Sequence, residues 1–238
     1  RSYVGGPLTG FTNEAYGFAQ TYMANDILAL QTLYGANYST HGDNTVYSWS
    51  PTTGQEFING VAQPAPGNGG GGSANRIFET VWDGNGIDTY DLSNYSTGVT
   101  INLNPGASSI TSPTQIANLG NGHFAQGNIY NAYLFNGDTR SYIDNANGGS
   151  GNDTLNINDT SNTLARDFSL DLTALRYFPS GSSTPLGTFI LGGTLENLTV
   201  DGNNLASIAT VSAKGAALNV DIDLRGGDDT FIVGGGDL

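Results

Sequence analysis

The chain has no cysteine, only seven lysines and arginines together, and two histidines in 238 residues. Without cysteine there is no disulfide and no thiolate metal ligand. The shortage of positive charge against 21 acidic residues leaves a net charge of −14, so nucleic acid and anionic membrane surfaces are poor partners. No run of 18 apolar residues occurs, and the sequence offers no membrane-inserting helix. Glutamate is scarce as well: apart from Glu14, Glu56, Glu79 and Glu196, every acidic residue is aspartate. The chain opens at Arg1 with neither an initiator methionine nor a signal peptide, and reads as a piece of a longer polypeptide.

What remains is glycine, 35 residues of it, interleaved with those short carboxylates. Gly148-Gly149-Ser150-Gly151-Asn152-Asp153-Thr154-Leu155-Asn156 matches the calcium nonapeptide G-G-x-G-x-D-x-(apolar)-x at every specified position. Its glycines let the backbone turn tightly and aim carbonyl oxygens inward, and its aspartate adds a hard anionic oxygen. Calcium takes six to eight oxygens at about 2.3–2.6 Å, so half-sites on neighbouring turns must share an ion. A Gly/Asn turn joining two strands is the plainer reading. Two further loops share the grammar, Trp82 to Ser93 and Leu224 to Val233, the second with Asp228 in place of a glycine. Three Asp-Thr-apolar steps, at Asp88, Asp153 and Asp229, each follow a glycine-bearing turn.

One helix is expected at about 22–34, where Met23, Ile27, Leu30, Leu33 and Tyr34 recur at helical spacing and Gly35 supplies a stop. Thr21 is the expected N-cap and Asp26 the favourable first-turn charge. Beyond Asn37 the pattern becomes short period-2 segments between turn residues: Thr45–Tyr47, Ile77–Phe78, Val99–Leu103, Leu155–Ile157, Phe168–Leu172, Leu195–Val200 and Leu218–Leu224. The expected fold is mainly β, a calcium-binding parallel β-roll or β-solenoid, with a β-sandwich as the alternative. The stretch from Pro64 to Ser73 reads as a flexible low-complexity loop. The stretch from Ser108 to Arg140 has no clear period, and its aromatic residues pack over an edge of the roll or form a binding surface.

With these residues in view the chain resembles the C-terminal portion of a serralysin-type (metzincin) secreted metalloprotease. Asn25 to Asn37 resembles that family's D-D-I-A-A-I-Q-x-L-Y-G-A-N, Thr45-Val46-Tyr47 its T-V-Y-G, Val81 to Tyr95 its V-W-D-x-G-G-x-D-T-x-D-F-S-x-Y, and Ile101 to Asn104 its I-N-L-N. Ile143 to Ala146, followed by the nonapeptide, resembles I-E-N-A-I-G-G-S-G-N-D. Beyond residue 160 the likeness shifts to longer β-solenoid repeats of large secreted calcium-binding proteins. The resemblance implies that 1–37 is the tail of a metzincin catalytic domain and 38–160 a calcium-binding β-roll with insertions at 60–73 and 108–140. It implies that 161–238 is a further, truncated solenoid repeat.

Carried over position by position, the resemblance implies a first calcium site from the backbone of His41, Asp43 and Thr45 with Asp83, Asn85 and Asp88. It implies a second from Gly86 and Asp88 with Tyr142 and Asp144, where Asp144 replaces the usual glutamate. Gly149, Gly151 and Asp153 would serve a following site, and Asp229 the last loop. His41, Asp43 and Asn44 depart from the family's R-T-G-D run. The family's zinc motif H-E-x-x-H-x-x-G-x-x-H is not present, since His41 and His123 stand 82 positions apart; zinc would belong to the missing catalytic part. Arg1-Ser2-Tyr3 is either a remnant of the family's Met-turn or the run just after it, which would place Tyr3 near zinc or in ordinary packing.

No phosphate loop, G-x-S-x-G elbow or Ser/His/Asp cluster is present, and Gly69 to Gly72 lacks the P-loop lysine. Asp221 and Asp223 share a strand face and read as a glycosidase-like pair or as part of a calcium rim. The implied function is the calcium-binding β-roll of a secreted, extracellular or cell-surface serralysin-like peptidase, folding on calcium after export. The alternative is a structural or adhesive repeat protein building a filament or surface layer. The expected partners are calcium ions and, beyond them, the missing catalytic domain or neighbouring repeats.

Overall fold

The computed structural model describes residues 2–158, 166–170, 174–181, 183, 187–190, 195–211 and 219–233. Among these one α-helix, α1 (Ala24–Tyr34), precedes β1 (Val46–Trp49), β2 (Glu56–Ile58), β3 (Val61–Ala62), β4 (Glu79–Val81), β5 (Thr89–Asp91), β6 (Thr100–Asn102), β7 (Ser108–Ser109), β8 (Asn118–Gly120), β9 (His123–Phe124) and β10 (Ile129–Asn131). The order continues with β11 (Asn145–Asn147), β12 (Asp153–Asn158), β13 (Arg166–Leu170), β14 (Ala174–Pro179), β15 (Gly187–Ile190), β16 (Leu195–Asp201), β17 (Ile208–Val211), β18 (Asn219–Asp223) and β19 (Thr230–Val233). The fold is mainly β, as the alternation of apolar residues and Gly/Asn/Asp turns demands.

The strands stack chiefly in parallel. One sheet runs β11-β5-β1-β2-β3, another β18-β16-β12-β6, and a third β15-β14-β13-β17-β19. In the second sheet Ile101, Leu155, Leu198 and Val220 stand in register across four parallel strands. The last two coils repeat after 22 residues, Asn197 pairing with Asn219 and Ile208 with Thr230. Period-2 alternation then puts one apolar ladder into the core, with Leu198 and Val200 buried while Asp221 and Asp223 face out. Aromatics fill the wider first coils. Trp49, Tyr47 and Tyr90 are buried, with the Trp49 and Tyr90 rings 5.3 Å apart edge to face.

The helix begins two residues later than its periodicity predicts, and Thr21 is not its cap. Met23 occupies that position, and its N–H donates to the Asp26 carboxylate at 3.1 Å. The Thr21 hydroxyl is engaged elsewhere, accepting from the Thr80 N–H at 2.8 Å. Gly35 does end the helix, at φ 84°. The buried face is Ala24 and Gln31, while Leu33 and Tyr34 are 73% and 83% exposed.

The stretch from Ser108 to Arg140 enters the roll itself. β10 pairs in parallel with β4, and Ile129 and Asn131 are buried. Its β8–β9 hairpin is clasped by the N-terminal segment. Glu14 N–H donates to the Asn118 carbonyl (3.1 Å), and the Glu14 carboxylate accepts from the Asn118 N–H (3.0 Å) and pairs with Arg76 (2.6 Å). Tyr3 stacks on His123 with 3.8 Å between ring centroids. The Pro/Gly-rich stretch, expected as a flexible loop, folds as two 3-10 turns, Pro66–Gly69 and Gly72–Asn75. A Cβ at Gly67 would stand 2.5 Å from that of Ala74, so the two turns meet where only glycine fits. Of the expected strands, Phe168–Leu172 and Leu218–Leu224 run partly into residues outside the described set, and Ile77 forms a single bridge to Ile116.

Candidate metal centre

The three Asp-Thr steps fold identically. Asp88 Oδ1 accepts from the Thr45 N–H (2.8 Å) while the Thr89 N–H donates back to the Thr45 carbonyl (2.8 Å). Asp153 Oδ1 accepts from Val99 N–H (3.0 Å), and Thr154 N–H donates to the Val99 carbonyl (2.9 Å). Asp229 Oδ1 accepts from Ser207 N–H (2.9 Å), and Thr230 N–H donates to the Ser207 carbonyl (2.9 Å). Each Asp-Thr pair therefore grips both polar groups of one residue on the adjacent coil, immediately before the two strands enter parallel register. Thr45, Val99 and Ser207 are all buried, so these backbone groups need such partners.

The first corner concentrates charge. Asp83 and Asp88 are 1% and 0% exposed. Asp83 Oδ2 accepts from the Tyr47 hydroxyl at 2.8 Å, and Asp83 Oδ1 from the Asn85 N–H at 3.0 Å. Asp144 Oδ2 accepts from Asp88 N–H at 2.8 Å, and the Asp144 N–H returns a bond to the Asp88 carbonyl at 3.0 Å. His41, at φ 48°, places Nδ1 2.9 Å from the Tyr47 hydroxyl, and its carbonyl and that of Asp43 both accept from the Thr45 hydroxyl. Asp88 Oδ2 is buried with no hydrogen-bond partner.

Burial drives the electrostatics. It pushes the Asp88 carboxyl up to about 8, against the Thr45 N–H bond and with added repulsion from Asp83 and Asp144. Burial also raises Asp83, partly offset by the Tyr47 hydroxyl, and lifts Asp144 to about 6. Among the described residues no lysine or arginine offsets these charges in their hydrogen bonds or ion pairs. Three carboxyls held this way are stable only as protonated groups or beside a cation.

The space between the loops has the oxygen lining a hard cation requires. At Gly86, φ 144°, an added Cβ would stand 2.7 Å from both the Asp43 carbonyl and Asp88 Oδ1. In the nonapeptide, a Cβ on Gly149 would stand 1.9 Å from the Tyr95 carbonyl, one on Gly151 2.7 Å from the Thr97 carbonyl, and one on Gly148 2.5 Å from Asp153 Oδ2. Glycine at these positions brings two backbones together with oxygens facing inward. Calcium fits this donor set. Among the described residues no group of three or more His, Cys, Asp or Glu side chains converges as a side-chain-only metal site would require, so any cation here would need backbone carbonyls such as those of Asp43, Tyr95 and Thr97 as well.

The structure thus brings His41, Asp43, Thr45, Asp83, Asn85, Gly86, Asp88 and Asp144 into one corner, and Gly149, Gly151 and Asp153 into a second against Tyr95 to Val99. Tyr142 is reached through the chain: its N–H donates to the Thr139 carbonyl at 3.3 Å, ending a 3-10 turn two residues before Asp144. Asp229 stands apart in the last corner, where it is half-exposed. Asp221 and Asp223 face solvent, and Asp223 Oδ1 caps the Arg225 N–H at 2.9 Å. Sequence reasoning missed Tyr47, whose hydroxyl links His41 to Asp83, and Asn44, whose Oδ1 accepts from the Ile87 N–H at 3.0 Å. Nothing local marks a tyrosine for a partner 36 positions away.

Among the described residues no helix is long and apolar enough to cross a membrane. The sequence matches the family described as Peptidase M10 serralysin C terminal over residues 36–235. It is 37% identical to serralysin C of Dickeya chrysanthemi over 65% of this chain and 26% of that protein. It is 34% identical to metalloprotease AprA of Pseudomonas entomophila over 62% of this chain and 25% of that protein. Against the serralysin of Photorhabdus laumondii it is 32% identical over 68% of this chain and 28% of that protein. The chain thus spans about a quarter of the length of the curated relatives it matches. On the coiled parallel strands and the 200-residue family match, from residue 36 to 235, this chain belongs to the serralysin C-terminal family.

Proposed function

We propose that this chain is the calcium-binding β-roll of a secreted serralysin-type metallopeptidase and that it folds when it meets calcium after export. The peptidase chemistry and its zinc would lie in the rest of the parent protein. The observation that carries the reading is the corner where buried Asp83 and Asp88 meet the half-buried Asp144, with Asp88 Oδ2 buried and without a hydrogen-bond donor among the described residues. Asp83, Asp88, Asp144 and the carbonyls of His41 and Asp43 would hold one group of ions, and Asp153 with the carbonyls of Tyr95 and Thr97 another. Bound calcium would neutralise these carboxylates and cross-link adjacent coils. The chain's own groups set the register through the Asp-Thr clasps.

The net charge of −14 supports the folding role. In calcium-poor cytosol, self-repulsion and the cost of burying these carboxylates keep the chain extended. Extracellular modules of this kind bind calcium at about 10⁻⁴–10⁻³ M, which suits folding outside the cell. Near-UV circular dichroism during a calcium titration tests this. A cooperative gain of the Trp49 and Tyr90 signal in that range is expected, and a spectrum unchanged between chelator and calcium would remove the reading.

A further inference from the structure

α1 is tied at both of its ends and spans open space between them. At the front, Gln20 and Thr21 bond to Phe78 and to Thr80 of β4. The Gln20 N–H donates to the Phe78 carbonyl (2.9 Å), the Phe78 N–H to Gln20 Oε1 (3.0 Å), and the Thr80 N–H to the Thr21 hydroxyl (2.8 Å). Within the helix only Ala24 and Gln31 are buried. Beneath it lies a cleft of about 540 Å³, lined by Ile27, Leu30 and Tyr34 of the helix and by Ile58, Val81 and Trp82 of the roll. Gln31 Oε1 is buried there without a hydrogen-bond partner among the described residues, which weakens the seat. A helix of 11 residues is too short to persist in water by itself. Its order therefore depends on the two ties.

The rear tie belongs to the metal corner. After Gly35 the chain runs from Asn37 to Thr45 along the loop from Trp82 to Asp88. The Trp82 indole N–H donates to the Asn37 carbonyl (3.3 Å), the Gly84 N–H to the Thr40 carbonyl (2.8 Å), and the Ile87 N–H to Asn44 Oδ1 (3.0 Å). Each loop carries oxygens assigned above to the cation, the His41 and Asp43 carbonyls on one, Asp83 and Asp88 on the other. His41 and Tyr47, bonded to each other and through the Tyr47 hydroxyl to Asp83, also line the cleft. The corner and the seat of the helix thus share a wall.

We propose that a cation at the first corner seats the C-terminal half of α1. The inference rests on the calcium reading of that corner. A cation favours the arrangement that brings the carbonyl-bearing loop beside Asp83 and Asp88, and that arrangement fixes Gly35 and the last turn of the helix. Without a cation nothing draws this loop to the carboxylates, whose mutual repulsion parts them. The helix then keeps its front tie alone. The coupling is reciprocal, so anything that holds α1 against the roll raises the affinity of the corner for calcium.

Thiol accessibility tests the coupling. The chain has no cysteine, so Gln31→Cys supplies a single thiol beneath the helix, at a position 6% exposed, and Ala209→Cys a single buried thiol in a later coil. Alkylation by iodoacetamide in saturating calcium is followed by mass spectrometry, and calcium uptake of the same variants by isothermal titration. Adding Asp83→Asn should speed alkylation of Gln31→Cys by at least about tenfold and leave Ala209→Cys within about twofold. Gly86→Ala, whose Cβ would stand 2.7 Å from the Asp43 carbonyl and Asp88 Oδ1 without removing a charge, should act in the same way. It carries the test should Asp83→Asn fail to fold. Calcium uptake reduced by either substitution while the Gln31→Cys thiol stays as slow as before would overturn this inference alone. A native chain that takes up no calcium would remove the calcium reading and the inference with it.

Discussion

The corner at Asp88 and the corner at Asp229 make the same hydrogen bonds in opposite surroundings. In each, an aspartate Oδ1 accepts one N–H of the neighbouring coil and the following threonine N–H donates back. Asp88 does so at 0% exposure beside buried Asp83. Asp229 does so half-exposed, in a turn where Arg225 lies 3.9 Å from Asp201. The clasp itself is therefore indifferent to charge density. Among the described residues several carboxylates are withdrawn from water together in the earlier coils, and it is there that the proposed cation would be needed. Half-exposed Asp229 keeps contact with water, and the Arg225–Asp201 pair in that turn adds little stability at its distance and exposure.

The largest test of this contrast is removal of calcium. At calcium about a hundredfold above its dissociation constant, each site contributes about 2.7 kcal/mol. For a chain of this size that is about 5–10 °C of melting temperature per site vacated, readable by calorimetry with and without chelator. The transition should lose the most from the coils before residue 158.

Close approach at the nonapeptide comes next. Gly149→Ala places a Cβ 1.9 Å from the Tyr95 carbonyl, whereas Gly226→Ala places one 3.4 Å from its nearest neighbour, the Asn204 amide oxygen. The first should cost about 3 kcal/mol in denaturant unfolding and the second less than about 0.5 kcal/mol. Equal effects would mean that the two corners are not built to different tolerances.

Neutralising single aspartates sharpens the comparison further. Asp88→Asn keeps an Oδ1 to accept the Thr45 N–H and removes the charge. It should raise stability in chelator and reduce the calcium-dependent gain in melting temperature by about half. Asp229→Asn should shift that gain by less than about 2 °C.

A pH dependence is expected outside the corners as well. Glu79 is raised to about 8 by burial and by Glu56, so the folded chain holds a proton there that the unfolded chain releases above its ordinary carboxylate value of about 4.5. The folded state binds more protons, so stability is highest below that value and falls as pH rises toward about 8. Melts of the calcium-saturated chain across this window should show the decline, and Glu79→Gln should flatten it.

Much of the fold was legible because its signals are local. Alternation located β12, β16 and β18, and Gly35 marked the end of α1. The nonapeptide announced a tight glycine turn at Gly149 and Gly151, and the structure adds that this turn meets another backbone. What could not be read depends on distant partners. Thr21 has the chemistry of an N-cap, but the Thr80 N–H takes its hydroxyl, and Asp26 reaches back to Met23 instead. Glu79, Thr80 and Val81 are buried on both faces, the Trp49 indole meeting Glu79 on one and Met23 meeting the Thr80 hydroxyl on the other, so no alternation marks β4. For the site, the aspartates were visible in their glycine loops, while Tyr47 and the carbonyls of Tyr95 and Thr97 entered only through the coiling of the chain. Asp221 and Asp223, read as a glycosidase-like pair or part of a calcium rim, share a strand face that is open to water.

Amide hydrogen exchange in calcium and in chelator, followed at Thr45, Val99 and Ser207, addresses the central claim most directly. If ions hold the carboxylate-rich corners, chelation should release protection at Thr45 and Val99 by at least about a hundredfold, the equivalent of one vacated site, and change Ser207 far less. Uniform protection at all three positions, unaltered by the chelator, would contradict it.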